Sequence, residues 1–373
     1  MFSEIANTYN WDKIGDEINA KTKGDVEQAL HTSFLTIEDF KALVSPSASD
    51  YLEIMAKKSR EATQKRFGKT IQFYIPLYLS NECSNHCIYC GFNHKNKISR
   101  VTLDDDEIIA EVKVIKKMGY EHILLLTGES PKHSGVEYLE HAMQLIRHYF
   151  KQITLEVQPM SVDDYKRLIV SGLHGVYVYQ ETYCKERYTL YHPAGKKKDY
   201  NWRIDTPDRL GIAGVHKIGL GALLGLENWR IEAVFMAMHL RYLEKTYWRT
   251  KYSIAFPRIR PHVGGFIPNY MVDDKEFAQM IWAFRIFDND LEMSLTTRES
   301  QKFRNHMVEL GITSMSAGSK TDPGGYTISD NELEQFTTND NRNPKEMIQM
   351  IHNQGYDVIW KDWDACLEQK KYN

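Results

Sequence analysis

Three of the five cysteines stand together, at Cys83, Cys87 and Cys90 in YLSNECSNHCIYCGF (residues 78–92), while Cys184 and Cys366 are isolated in sequence. Spacings of four and then three would put these thiols on one face of a helix, where free cysteine often acts as a small buried hydrophobe. Their neighbours Asn81, Glu82, Ser84, Asn85, His86 and Gly91 are polar or turn-forming, which suits a loop better than a core helix. A zinc site would need a fourth ligand, from His86 or His94, and usually shows tandem C-x2-C pairs. An iron–sulfur cluster is the better chemical match, because thiolates are its soft ligands and three of them leave one iron of a [4Fe–4S] cube open. An open iron adds little to electron transfer but gives a substrate or cofactor a place to bind.

Such a loop needs elements to hold it. Eight short apolar runs read as strands: 71–79, 122–127, 152–157, 175–180, 217–223, 252–256, 291–295 and 312–316. Amphipathic helical segments such as 105–119, 136–150 and 230–245 alternate with them, which implies parallel βαβ units. The number and span match an α/β fold of the (β/α)8 barrel type. The G-x-G-x-x-G turn of an open doubly wound sheet does not follow the first run. Barrel active sites gather beyond the C-terminal ends of the strands. The unusual polar residues stand there: Tyr78 and the cysteines after the first strand, Thr127-Gly128-Glu129, Glu156, Gln180-Glu181, Arg258 and Arg260, Arg298, and Ser316. Residues 1–70 read as a helical extension, with a Thr36–Asp39 capping box and a helical period over Tyr51–Phe67. The expected organisation is this extension, a barrel over 71–320, and a loop-rich C-terminal capping segment over 321–373 that ends in a short helix or strand near 357–364.

Hydrophobic residues make up 42% of the chain and charged ones 26%, the balance of a globular protein. The net charge of -3 provides no basic field for nucleic acid or anionic membrane. No apolar run is long enough to span a bilayer, and the first residues lack the character of a signal peptide. An odd cysteine count without a paired framework points to a reducing compartment, the cytoplasm. Gly318-Ser-Lys-Thr321 lacks the order of a phosphate-binding loop, and Cys184 is expected to be a non-ligand thiol. The lysine run 196–198 reads as a solvated loop.

C-x3-C-x2-C after the first strand of a barrel resembles the radical S-adenosylmethionine (SAM) superfamily. The resemblance implies a [4Fe–4S] cluster on Cys83, Cys87 and Cys90, with SAM chelating the open iron through its amino and carboxylate groups. Tyr89 matches the aromatic position that packs on adenine. Thr127-Gly128-Glu129 resembles the "GGE" element that binds the methionine amino group, with Thr in place of its first Gly. Gly221 to Gly225 resembles the glycine motif after strand five. FYIPLYLSN, LLLTGE, LEVQP, VYQETY, TPDRLG, FPRIRP, TTRES, SAGSKTDPGGY and KDWD narrow the resemblance, over essentially the whole chain, to the tyrosine lyases of thiamine biosynthesis. What this implies is a radical lyase that cleaves the Cα–Cβ bond of L-tyrosine to 2-iminoacetate (dehydroglycine) and p-cresol, while SAM yields 5′-deoxyadenosine and methionine.

Hydrogenase-maturing relatives carry a second cluster near the C-terminus. Cys366 is the one cysteine of that region here, so no second cluster is expected. A lyase for another aromatic amino acid such as tryptophan, and a metal-stabilised binding module without turnover, are the alternatives. A zwitterionic substrate needs a counter-charge for its carboxylate, and the planar fork of arginine supplies one. Arg298 matches the carboxylate-binding arginine of relatives, and Ser316 and Tyr78 match positions that hold the substrate backbone. Glu156, Gln180 and Glu181 are candidate contacts to the SAM ribose or methionine, and Arg258 and Arg260 would line the cavity or close its mouth through ion pairs. The implied partners are a flavodoxin- or ferredoxin-type electron donor and a thiazole synthase.

Overall fold

The computed structural model describes residues 1–327 and 334–362. Helices α1 (Phe2–Ala6), α2 (Trp11–Asn19), α3 (Lys23–His31), α4 (Ile37–Val44) and α5 (Leu52–Phe67) precede the first strand. The capping box at α4 is present: Thr36 N–H donates to Asp39 at 2.8 Å and Asp39 N–H donates back to Thr36 Oγ1 at 3.3 Å. Phe40 of α4 packs between Phe284 and Phe287, each 4.8 Å away between ring centroids, so the extension is fastened to the outside of the barrel.

The barrel strands are β1 (Thr70–Ser80), β2 (His122–Thr127), β3 (Gln152–Glu156), β4 (Leu173–Tyr177), β5 (Lys217–Gly221), β6 (Lys251–Ala255), β7 (Glu292–Leu295) and β8 (Ser314–Ser316). Each pairs in parallel with the next, and β1 pairs with both β2 and β8, which closes the eight into the expected barrel. The crossovers carry α6 (Asp105–Lys117), α7 (Val136–Ile146), α8 (Val162–Val170), α9 (Lys185–Tyr191), α10 (Tyr200–Ile204), α11 (Thr206–Ala213), α12 (Trp229–Thr246), α13 (Asp274–Phe287) and α14 (Gln301–Met307). Among the described residues no helix is long and apolar enough to cross a membrane.

Alternation along β1 sorts its side chains. Ile71, Phe73, Ile75, Leu77 and Leu79 join the apolar layer beneath the helices, whereas Gln72, Tyr74, Pro76 and Tyr78 line a cavity of about 150 Å³ inside the barrel. A barrel of this type is ordinarily filled by branched apolar residues. Here the interior also carries His122, Thr154, Ser253, Ser294 and Ser314. Gly219 leaves room for an aromatic ring: a Cβ there would lie 1.9 Å from Cδ1 of Tyr177. The dry core is therefore the layer between strands and helices, whereas the axis mixes these polar groups with Tyr74, Leu124, Leu126 and Tyr177.

Two expectations change. The fourth strand starts two residues earlier than its apolar run and leaves regular pairing after Tyr177, although Val178 and Gln180 still donate to the Gly219 and Gly221 carbonyls. The C-terminal segment does not act as one cap. Residues after β8 cross the top, where Gln335 meets Tyr78, but α15 (Pro344–Asn353) leads to β9 (Asp357–Ile359) at the opposite end. There Asp357 pairs with Thr70 at the start of β1, extending the sheet instead of closing the mouth. Cys366 and the end of KDWD lie outside the described residues.

Candidate active site

The cysteine loop is laced from within. Arg100 donates to the carbonyls of Asn81 at 2.7 Å, Phe92 at 2.9 Å and Asn93 at 2.8 Å, so one guanidinium ties both ends of the loop. From β2, the Glu129 carbonyl accepts from Ser84 N–H at 3.0 Å and its carboxylate accepts from Asn85 Nδ2 at 2.7 Å. Gly128 is required by this contact: a Cβ would sit 2.2 Å from the Glu82 carbonyl and 3.1 Å from Cys83 Cβ. Gln335 Nε2 reaches Cys90 Sγ at 3.6 Å while its Oε1 accepts from the Tyr78 hydroxyl at 2.9 Å.

Cys87 is buried, Cys83 and Cys90 are half-buried, and none is in a disulfide. Burial pushes the Cys83 thiol up to about 11, and it raises Cys87 and Cys90 as well. Ligation needs the thiolate, so loading a metal centre here must release protons. Among the described residues no three His, Cys, Asp or Glu side chains converge on a single metal ion. The three thiols share one loop, and thiolates in that number are the soft ligands of an iron–sulfur cluster.

Beside the loop lies a buried charge quartet. Arg203 donates to Glu129 at 2.8 Å and reaches Glu181 at 3.5 Å; Lys197 Nζ meets Glu181 at 2.7 Å and lies 3.8 Å from Glu129. Burial alone would raise the Glu129 carboxyl, but Arg203 and Lys197 outweigh it and hold Glu129 below its usual value. Glu181 has φ of 70°, the one left-handed non-glycine backbone among the described residues, and such strain costs about 1–3 kcal/mol. Tyr89 lines the cavity with Cys90, its hydroxyl 2.6 Å from His192 Nε2.

Arg298, just after β7, lines the same cavity. Its guanidinium stacks 3.4 Å over Phe336 and reaches the Arg258 carbonyl at 3.4 Å, with no carboxylate in ion-pair range among the described residues. Burial pulls its pKa down, against the pull of Tyr78 and Glu156. Burial likewise pushes the Glu156 carboxyl up to about 7. Ser316 lines the same wall, and its carbonyl is held by the buried Arg304.

The structure therefore brings Tyr78, Tyr89, Cys90, Glu156, Glu181, Arg298 and Ser316 onto one cavity. Cys83, Cys87, Gly128 and Glu129 do not line it, although Cys83 packs with Tyr78, Leu124 and Leu126, which do. Gln180 is buried with both amide atoms lacking a protein partner. Gly221 admits the Tyr179 ring, and Gly225, with φ of 117°, packs on Pro268 and Ile259. Arg258 pairs with Glu299 and Asp274 and lies over the rings of Phe277 and Phe303 on α13 and α14, off the cavity wall, while Arg260 lines the cavity. The lysine run is corrected: Lys196 and Lys198 are exposed, but the short 3₁₀ turn Lys196–Lys198 points Lys197 inward. No sequence signal distinguishes the middle lysine of GKKKD. Arg203, Gln335 and Phe336 were missed for the same reason, since their partners lie far away in the chain.

The Radical SAM superfamily pattern matches residues 77–237, and that of the Biotin and Thiamin Synthesis associated domain matches 255–357. The chain is 47% identical over 367 residues to 2-iminoacetate synthase of Salmonella typhimurium, covering 98% of this chain and 97% of that one. The chain belongs to the 2-iminoacetate synthase family. The enzyme of that name from Escherichia coli is 47% identical over the same shares of both chains. A crystal structure of HydG, a maturase of the [FeFe]-hydrogenase, superposes with a TM-score of 0.87 at 30% identity, over 98% of this chain and 80% of that one. Membership of the radical SAM superfamily brings a [4Fe–4S] cluster and SAM as cofactors. The three free thiols on one pinned loop, with room for a fourth ligand toward the cavity, fit that pair.

Proposed function

We propose that this family member is a carbon–carbon lyase that cleaves the Cα–Cβ bond of L-tyrosine to 2-iminoacetate and p-cresol, serving thiamine thiazole synthesis in the cytoplasm. Identity of 47% over nearly the full length of two 2-iminoacetate synthases supports it, but the observation that carries it is Arg298. A half-buried guanidinium facing a cavity without a carboxylate partner has its charge uncompensated unless a ligand supplies one. Tyrosine does.

Cys83, Cys87 and Cys90 would hold the cluster, and Tyr89, Glu129, Glu181 and Gln180 would surround SAM, with Gly128, Gly221 and Gly225 shaping the walls. Bound, the reduced cluster and SAM supply the hydrogen-abstracting chemistry, with methionine and 5′-deoxyadenosine as their products. Arg298 receives the tyrosine carboxylate, its plane fixed by Phe336. Tyr78 and Ser316 flank the amino-acid head from β1 and β8. Glu156, with its pKa near neutrality, can take the substrate ammonium proton onto its carboxylate, leaving a neutral amine. Tyr177, Tyr179, Leu124 and Leu126 keep water from the reacting centre. Electrons come from a flavodoxin- or ferredoxin-type donor, and a thiazole synthase consumes the 2-iminoacetate.

Anaerobic reconstitution with iron, sulfide, SAM, reductant and tyrosine should yield p-cresol and 5′-deoxyadenosine, measured by mass spectrometry. A cluster-loaded protein that makes neither sinks the reading; products derived from tryptophan in a parallel assay would replace it.

A further inference from the structure

Two buried cations flank the cysteine loop, and they are engaged to different degrees. The Arg203 fork is committed: Nε donates to the Tyr179 carbonyl at 2.7 Å and the terminal nitrogens go to Glu129 and Glu181. Arg203 is absent from the cavity wall, whereas Lys197 lines it with Tyr89, Cys90 and Glu181. An ammonium has three donors, and that of Lys197 makes one hydrogen bond, to Glu181 at 2.7 Å. Its side chain is 11% exposed, and Nζ lies 5.9 Å from the Tyr89 ring centroid.

The backbone fixes this position. Lys197 N–H donates to Asn85 Oδ1 at 3.0 Å, and Asn85 Nδ2 donates to Glu129 at 2.7 Å. Gly195, with φ of 92°, allows the approach: a Cβ there would lie 2.2 Å from Asn85 Oδ1. The turn carrying Lys197 is thus keyed to the cysteine loop. Two carboxylates and two cations already balance, so a ligand head bearing one ammonium and one carboxylate enters without upsetting the charge. Glu181, on the cavity wall, suits the ammonium. The carboxylate needs a cation with donors left over.

We propose that Lys197 is a cofactor-binding residue that receives the methionyl carboxylate of SAM beside Cys90 and Tyr89. This rests on SAM occupying the cysteine side of the cavity, as in the function proposed above, but not on tyrosine being the substrate.

The test compares SAM with decarboxylated SAM on the cluster-loaded protein by equilibrium dialysis, for wild type, Lys197→Met and Lys197→Arg, with iron content checked by absorbance. Lys197→Met should weaken SAM about tenfold or more while changing decarboxylated SAM less than about twofold, and Lys197→Arg should restore part of the preference. Equal weakening of both ligands, or unchanged SAM affinity, overturns the proposal. Wild-type protein that binds neither ligand overturns it together with the reading of the cavity. Protein that shows the predicted pattern but makes no p-cresol supports Lys197 and refutes the tyrosine reaction alone.

Discussion

At the cysteine end of the cavity, two carboxylates face two cations at 2.7–3.8 Å, and the group is tied through Asn85 to the loop it serves. Beyond β7, Arg298 rests on an aromatic ring and a backbone carbonyl, with a carboxyl of Glu156 pushed up to about 7 on the same cavity. The first end is complete before any ligand arrives. The second carries a half-buried charge that a ligand carboxylate would offset. A region that keeps its own charge balance, joined to one that lacks it, makes the second more dependent on a ligand than the first.

The bluntest way to break the comparison is Cys87→Ala, which should abolish product and cluster absorbance near about 400 nm while circular dichroism stays native. Glu129→Gln and Arg298→Met then separate the two ends. Removing Glu129 leaves Arg203 and Lys197 short of a partner, and unfolding by denaturant should show a loss of about 3–5 kcal/mol. Arg298→Met should leave stability within about 1 kcal/mol of wild type or raise it, yet lower kcat/KM for tyrosine by roughly a hundredfold or more. Equal destabilisation by both substitutions would erase the distinction.

A third measurement uses pH. The folded Glu156 carboxyl titrates at about 7 against the usual 4.5, so the folded state binds more protons than the unfolded state between those values. Stability from this group is therefore fully present below 4.5 and lost as pH rises to 7. The loss amounts to roughly 3 kcal/mol. Glu156→Gln should lack that slope, read from unfolding midpoints across the window. The smallest effect belongs to Ser316→Ala, where KM for tyrosine should rise by a few-fold, the size of one neutral hydrogen bond of about 1 kcal/mol.

Alternation of apolar runs with amphipathic helices was enough to place all eight barrel strands, because burial in a parallel sheet imposes it locally. The cysteine motif was legible because three closely spaced thiols in polar company seldom serve anything but a metal centre. Lys197 was not, since GKKKD is indistinguishable from a solvated run until a 3₁₀ turn rotates one lysine inward. Gln335 and Phe336 lie in a loop whose importance comes from contacts with β1 and Arg298, which no local pattern encodes. The pairing of β9 with the start of β1 was invisible for the same reason.

That reliance on distant partners has a consequence in time. The cysteines are made early, yet Gln335, which covers Cys90 and holds Tyr78, follows 245 positions after the first and 257 after the second. At about 5–20 residues per second of synthesis, the thiols stand uncovered on a nascent chain for on the order of ten seconds or more. During that interval iron and sulfide meet an open loop, and so does any oxidant. Once Gln335 settles over Cys90 and Tyr78 the same loop is more covered, so the order of manufacture opens a brief period in which its thiols are most accessible to iron, sulfide and oxidant alike.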